Sequence, residues 1–111
     1  MNDIDKYQTW AKSIWVTSDT DVKDQIVHAL LGLTTEVGEI ADLYKKPWFT
    51  PHRLNKVAAD PDKWFDDLTK ELGDVLYYLV VLAEIHQINM SDVLKTNIEK
   101  LEARYGAASK D

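Results

Sequence analysis

The sequence predicts an all-α fold, a four-helix bundle completed by oligomerisation, and three observations predict it. Apolar residues recur at intervals of three and four over most of the chain. No stretch alternates apolar and polar residues as a half-buried strand would. All three prolines, Pro47, Pro51 and Pro61, fall in one segment without a sustained period, where they separate helices.

The first helix carries Ile4, Tyr7, Ala11, Ile14 and Trp15 after a candidate Asp3 cap and ends near Thr17-Ser18-Asp19. The second runs on Val22, Ile26, Ala29, Leu30, Leu33, Val37, Ile40 and Tyr44 until Pro47 stops it. Residues 47 to 61 read as a loop. From about Asp62 a third helix carries Trp64, Phe65, Leu68 and Leu72, and between Val75 and Ala83 it is apolar at every angle, so it must be buried on several sides. Asn89-Met90-Ser91-Asp92 supplies a turn and a Ser91 cap; Val93, Leu94, Ile98, Leu101 and Tyr105 mark a fourth helix closed by Gly106.

At 111 residues and 45% hydrophobic content, residues 1–111 read as one small domain whose modest core is supplemented by subunit contacts. The formal charge of −6 disfavours a nucleic-acid polymer as partner, while small anions bridged by divalent cations remain compatible with it. The absence of cysteine removes disulfides, thiolate metal sites and cysteine nucleophiles. The first residues lack the basic and apolar regions of a signal peptide, and the run Val75 to Ala83 is far shorter than the roughly 20 residues that span a bilayer. A cytoplasmic protein without membrane association is expected.

The strongest signal is an internal repeat: Leu33-Thr34-Thr35-Glu36-Val37-Gly38-Glu39-Ile40 and Leu68-Thr69-Lys70-Glu71-Leu72-Gly73-Asp74-Val75 share one pattern. In each copy the acids are three apart, one turn from each other on one helix face. At about 100° per residue, Glu36 borders the stripe of Ala29, Leu33 and Ile40, with Glu39 further out. If helices two and three pack antiparallel through these stripes, four carboxylates meet and repel unless a cation joins them, and hard divalent ions with oxygen ligands are the natural remedy. A single such pair is usually a solvated face; its repetition beside the core favours a site. Gly38 and Gly73 cost the helices roughly 1 kcal/mol each relative to alanine, which suggests close approach of a backbone or ligand.

Glu36-x-x-Glu39 followed by Glu71-x-x-Asp74, set as EVGEIADLYKK and KELGDVLYYL, resembles the paired acidic motif of the MazG-like nucleoside triphosphate pyrophosphohydrolases. The resemblance extends from the helix around Tyr7 to NIEKLEARY at 97 to 105. It implies cleavage of a nucleoside triphosphate between the α- and β-phosphates, giving the monophosphate and pyrophosphate. It places a magnesium ion, with manganese as a substitute, on Glu36, Glu39, Glu71 and Asp74, which are also the catalytic set. It leans towards deoxynucleotides such as dGTP, leaving base and sugar open. Many relatives carry a further glutamate where this chain has Thr35, so the number of metal ions stays open.

Asn97, Lys100 and Arg104 fall within about 60° of one another on an ideal helix. The resemblance implies that this edge binds phosphates, although cations also suit a helix C-terminus through its dipole. Lys45, Lys46 and Lys70 are weaker phosphate candidates, since lysines near helix ends are usually solvated. His28, close in angle to Glu39, is a candidate substrate contact against a structural alternative. Trp10 and Trp15 are candidate base contacts, although Trp10, Trp15, Trp48 and Trp64 at such spacings are more often core. His86 follows Glu84 at the wrong spacing for a di-iron ligand set.

The expected chemistry is metal-assisted attack of water on phosphorus, with Glu39 one candidate base and Lys100 and Arg104 offsetting the leaving pyrophosphate. The rival from another class is a non-catalytic helical interaction module with a structural cation site. Because Val75 to Ala83 occupy every angle, self-association along helix three is expected, with Val81 at the contact; the resemblance implies dimers or pairs of dimers, and a tetramer is expected over a dimer.

Overall fold

The computed structural model describes residues 2–15, 21–49 and 60–106, with 46–49 described by backbone alone. The described residues form α1 (Asp3–Ile14), α2 (Val22–Phe49), α3 (Pro61–Ile85) and α4 (Met90–Leu101), followed by a π-helical turn, Glu102–Gly106, with no strand among them. The architecture is the all-α one the periodicity predicts.

The helix ends depart from expectation in informative ways. Asn2, one residue before the expected Asp3, caps α1: its Oδ1 accepts from the Asp5 amide at 2.9 Å. The helix ends at Ile14, before Thr17-Ser18-Asp19, and residues 16–20 lie outside the described part. Pro47 does not stop α2, which runs on to Phe49. Of the expected loop, residues 47 to 49 are therefore helical, Pro61 is the first residue of α3, and 50–59 lie outside the described part. Asp60 caps α3, accepting from the Lys63 amide at 3.1 Å, with Pro61 in the first position, where its missing N–H costs nothing. Ser91 is not the α4 cap: Asn89 occupies that position without a side-chain bond, and Gln8 of α1 accepts from the Met90 amide instead. The final turn widens, so Gly106 closes a π-helical turn and not the α-helix.

The principal pair is α2 with α3. It is antiparallel: Gly32 faces Tyr78, Glu36 faces Glu71, and Trp64 Nε1 donates to the Leu43 carbonyl at 2.9 Å. Glycine at 32 has a steric reason, because a Cβ there would run into the Tyr78 ring. Gly38 and Gly73, where close approach was expected, face open space within the chain.

Helix α1 lies across α3, where Ala11, Val80 and Met90 form the buried centre, and α4 packs chiefly on α1. Beyond its first turn α4 projects: Leu94, Ile98 and Leu101 are exposed. The radius of gyration, 17.8 Å, exceeds the roughly 13 Å of a compact chain this long. Val81 is only 3% exposed, inside its own chain, which corrects the expectation that it faces a partner. No described helix is long and apolar enough to cross a membrane.

Candidate metal centre

Three acids converge between the central helices. The three-residue spacing puts Glu71 and Asp74 on one face of α3, and the antiparallel register sets Glu36 of α2 opposite them. One carboxylate oxygen from each of Glu36, Glu71 and Asp74 lies within 4.8 Å of the others. Glu36 and Glu71 are half-buried and Asp74 is exposed, so the group sits at the mouth of the helix interface. Glu39 is exposed and stands outside this trio, acting on it through charge.

The electrostatics are strained in the chain alone. Burial pushes the Glu36 carboxyl above its ordinary pKa; a hydrogen bond with Glu71 and the charges of Asp74, Glu71 and Glu39 push the same way. Glu71 Oε2 is buried with no hydrogen-bond partner. Tyr7 of α1 is raised by burial and, secondly, by the charge of Asp74, which puts its hydroxyl within electrostatic reach of the trio. Crowded oxygen donors, an orphaned buried carboxylate oxygen and no nitrogen or sulfur donor make a set that fits a hard divalent cation.

One turn beyond Asp74, α3 presents Tyr77 and Tyr78, and Trp15 packs on both at centroid distances of 6.5 Å. His28 packs on Trp15 at a centroid distance of 4.8 Å. Trp15 Nε1 is buried without a hydrogen-bond partner, and the ring also borders Val81, Glu84 and Ile85 further along α3. Trp10 packs on Tyr7 at 5.5 Å but is 51% exposed. Sequence reasoning did not single out Tyr77 and Tyr78 because their place in the run Val75 to Ala83 reads as packing. Their spacing of three and four from Asp74 was the available signal.

The cationic edge is not brought to the acids within one chain. Asn97 and Lys100 line a hollow of about 360 Å³ on α4 with Ile88, Asp92, Val93 and Thr96. Arg104 lies in the π-helical turn, beside the Tyr105 ring at 5.7 Å, so the ideal-helix angle that grouped it with Asn97 and Lys100 does not hold there. Neither Lys100 nor Arg104 is ion-paired to Glu36, Glu71 or Asp74 among the described residues. Lys70 pairs with Asp66 at 2.9 Å, Lys45 is exposed, and the Lys46 side chain lies outside the described part.

Comparison with known proteins bears on this geometry. The model of the MazG nucleotide pyrophosphohydrolase domain matches residues 26–107, which include both acid pairs and the whole of α4. The chain is 30% identical over 109 residues to the Gene 37 protein of Mycobacterium phage L5, covering 91% of this chain and 87% of that one. It is 27% identical over 73 residues to a Bacillus subtilis (strain 168) protein described as "Uncharacterized protein YvdC", covering 66% of this chain and 69% of that one. No solved structure matches. With α2, α3 and α4 all inside the matched range, the chain belongs to the MazG nucleotide pyrophosphohydrolase family.

Proposed function

We propose that this chain, as a single domain, hydrolyses a nucleoside triphosphate between its α- and β-phosphates, releasing the monophosphate and pyrophosphate. The observation that carries the reading is the convergence of Glu36, Glu71 and Asp74, with a buried Glu71 oxygen awaiting a partner. These three carboxylates would hold magnesium, with manganese as substitute, and Glu39, exposed beside them, would add its charge to the set. A divalent ion held there offsets phosphate charge and acidifies water. Glu39 is the candidate for taking the proton of the attacking water, which its exposed carboxylate outside the trio supports. That water's oxygen bonds to the α-phosphorus as the bond to the bridging oxygen breaks, and the electron pair leaves with pyrophosphate.

The ring cluster one turn from Asp74 is suited to the nucleoside. Trp15, with its open indole N–H, offers a π face and a donor, and Tyr77, Tyr78 and His28 hold it in place. Trp10, more exposed, lies at the outer edge. A deoxynucleotide such as dGTP is the preferred substrate class.

Asn97, Lys100 and Arg104 act on phosphates from a neighbouring copy: α4 projects with exposed apolar side chains, and its cations meet no acid of the trio in their own chain. The assembly is a homo-oligomer, a tetramer before a dimer. The test is product analysis over a panel of ribo- and deoxynucleoside triphosphates and diphosphates with magnesium. Pyrophosphate from triphosphates is expected; orthophosphate as the first product, or no turnover of any nucleotide, would count against the reading and favour a non-catalytic module.

A further inference from the structure

Gln8 is the sole buried polar residue among the described ones, at 6% exposure, and three partners converge on its amide. Its Nε2 donates to Glu84 Oε2 and to the Ile88 carbonyl, both at 2.8 Å, and its Oε1 accepts from the Met90 amide at 2.7 Å. Lys12 Nζ, one turn along α1, lies 3.3 Å from the other Glu84 oxygen. One side chain of α1 thus grips the last turn of α3, the connecting backbone and the first amide of α4. That connection contains Gln87 with a positive φ of 58°, and the Asn89 side chain forms no cap bond. The direction in which α4 leaves the bundle therefore depends on Gln8.

We propose that Gln8 is a positioning residue that fixes this exit direction and, through it, where Asn97 and Lys100 stand. The functional half rests on the reading above, that this edge binds phosphates. The lever is long: Lys100 lies ten residues beyond Met90, about 15 Å along the helix, so a swing of about 10° displaces it by about 2–3 Å. A displacement of that size breaks a phosphate contact.

The absence of cysteine permits a direct test with the full chain. Spin labels on Asp62→Cys of α3 and Lys95→Cys of α4, in protein diluted with unlabelled chains, report the angle between the two helices by electron double resonance. Gln8→Met keeps the volume and removes all three hydrogen bonds; Gln8→Glu keeps an acceptor for Met90 but loses both donors. Each is expected to broaden a narrow distance distribution while circular dichroism shows helix content retained. KM for the triphosphate is expected to rise roughly tenfold, the factor that about 1.4 kcal/mol gives, with magnesium affinity unchanged. A distribution as narrow as the wild type in whichever variants fold would overturn the positioning role whatever the kinetics. Broadening with an unchanged KM would overturn its functional half and remove α4 from the phosphate site.

Discussion

Glu36 is the residue on which burial and three like charges act together, and its behaviour without metal follows from that. Because folding raises its pKa, the folded chain holds a proton that the unfolded chain has released. The stability this group contributes is present at low pH and lost as pH rises through its folded pKa. In chelator at neutral pH, Glu36→Gln is therefore expected to melt above the wild type, with the gap closing as pH falls into the carboxylate range. Magnesium should raise the melting temperature of the wild type more than that of the variant. A Glu36→Gln protein that melts lower at neutral pH in chelator would show the carboxylate to be relieved by something other than a cation. A second residue-scale prediction concerns Gly32: an alanine there gains about 1 kcal/mol of helix propensity but drives its Cβ into the Tyr78 ring. Overpacking of this kind costs about 1–3 kcal/mol, so urea unfolding should show Gly32→Ala gaining no stability and losing up to about 2 kcal/mol, whereas Gly38→Ala, facing open space in the chain, should not disturb the α2–α3 contact. The convergence of Glu36, Glu71 and Asp74 was legible because repetition at three-residue spacing marks a face, whereas the place of Glu39 outside the trio was not. Gly32 and Gln8 were not, because what a glycine or a glutamine faces is decided by another helix.

At the scale of elements, α2 and α3 were read correctly in type because each carries an apolar stripe too long to be anything else. Their ends were not, since the geometry that lets α2 continue through Pro47 is absent from any periodicity. The same limit explains Arg104. Extrapolating 100° per residue placed it on one edge with Lys100, but the chain widens into a π turn after Leu101. Lys100, still on the α-helix, should therefore matter to binding more simply than Arg104. Lys100→Ala is expected to raise KM for the triphosphate by about tenfold and to change affinity for the monophosphate much less, because a lysine contact to phosphate acts as a point charge on the polyphosphate tail. Equal losses for both ligands, measured by steady-state kinetics and monophosphate inhibition, would assign Lys100 a structural role.

For the whole molecule, the apolar run in α3 predicted association, yet the chain covers most of that run itself and leaves bare faces elsewhere. Leu31 of α2 is 64% exposed and Ile98 of α4 is 57% exposed. A fully buried leucine or isoleucine contributes about 1.5–3 kcal/mol, so a charge at either position should weaken a subunit contact at least roughly tenfold. Light scattering of Leu31→Glu and Ile98→Glu is expected to show species smaller than the wild type with helix content retained. Wild-type protein that is already monomeric at micromolar concentration would remove the oligomer.

The central claim, that the three converging acids hold the ion that drives pyrophosphate release, is tested most directly by one phosphorus NMR experiment. Wild type and Glu71→Gln are each incubated with dGTP and magnesium, then with chelator. The account predicts monophosphate and pyrophosphate in equal amounts from the wild type with magnesium. It predicts none in chelator, and a rate at least about a hundredfold lower from a folded Glu71→Gln protein, as for loss of a group that stabilises the transition state by about 2.7 kcal/mol. Pyrophosphate released at the wild-type rate by Glu71→Gln, or by the wild type in chelator, would contradict it.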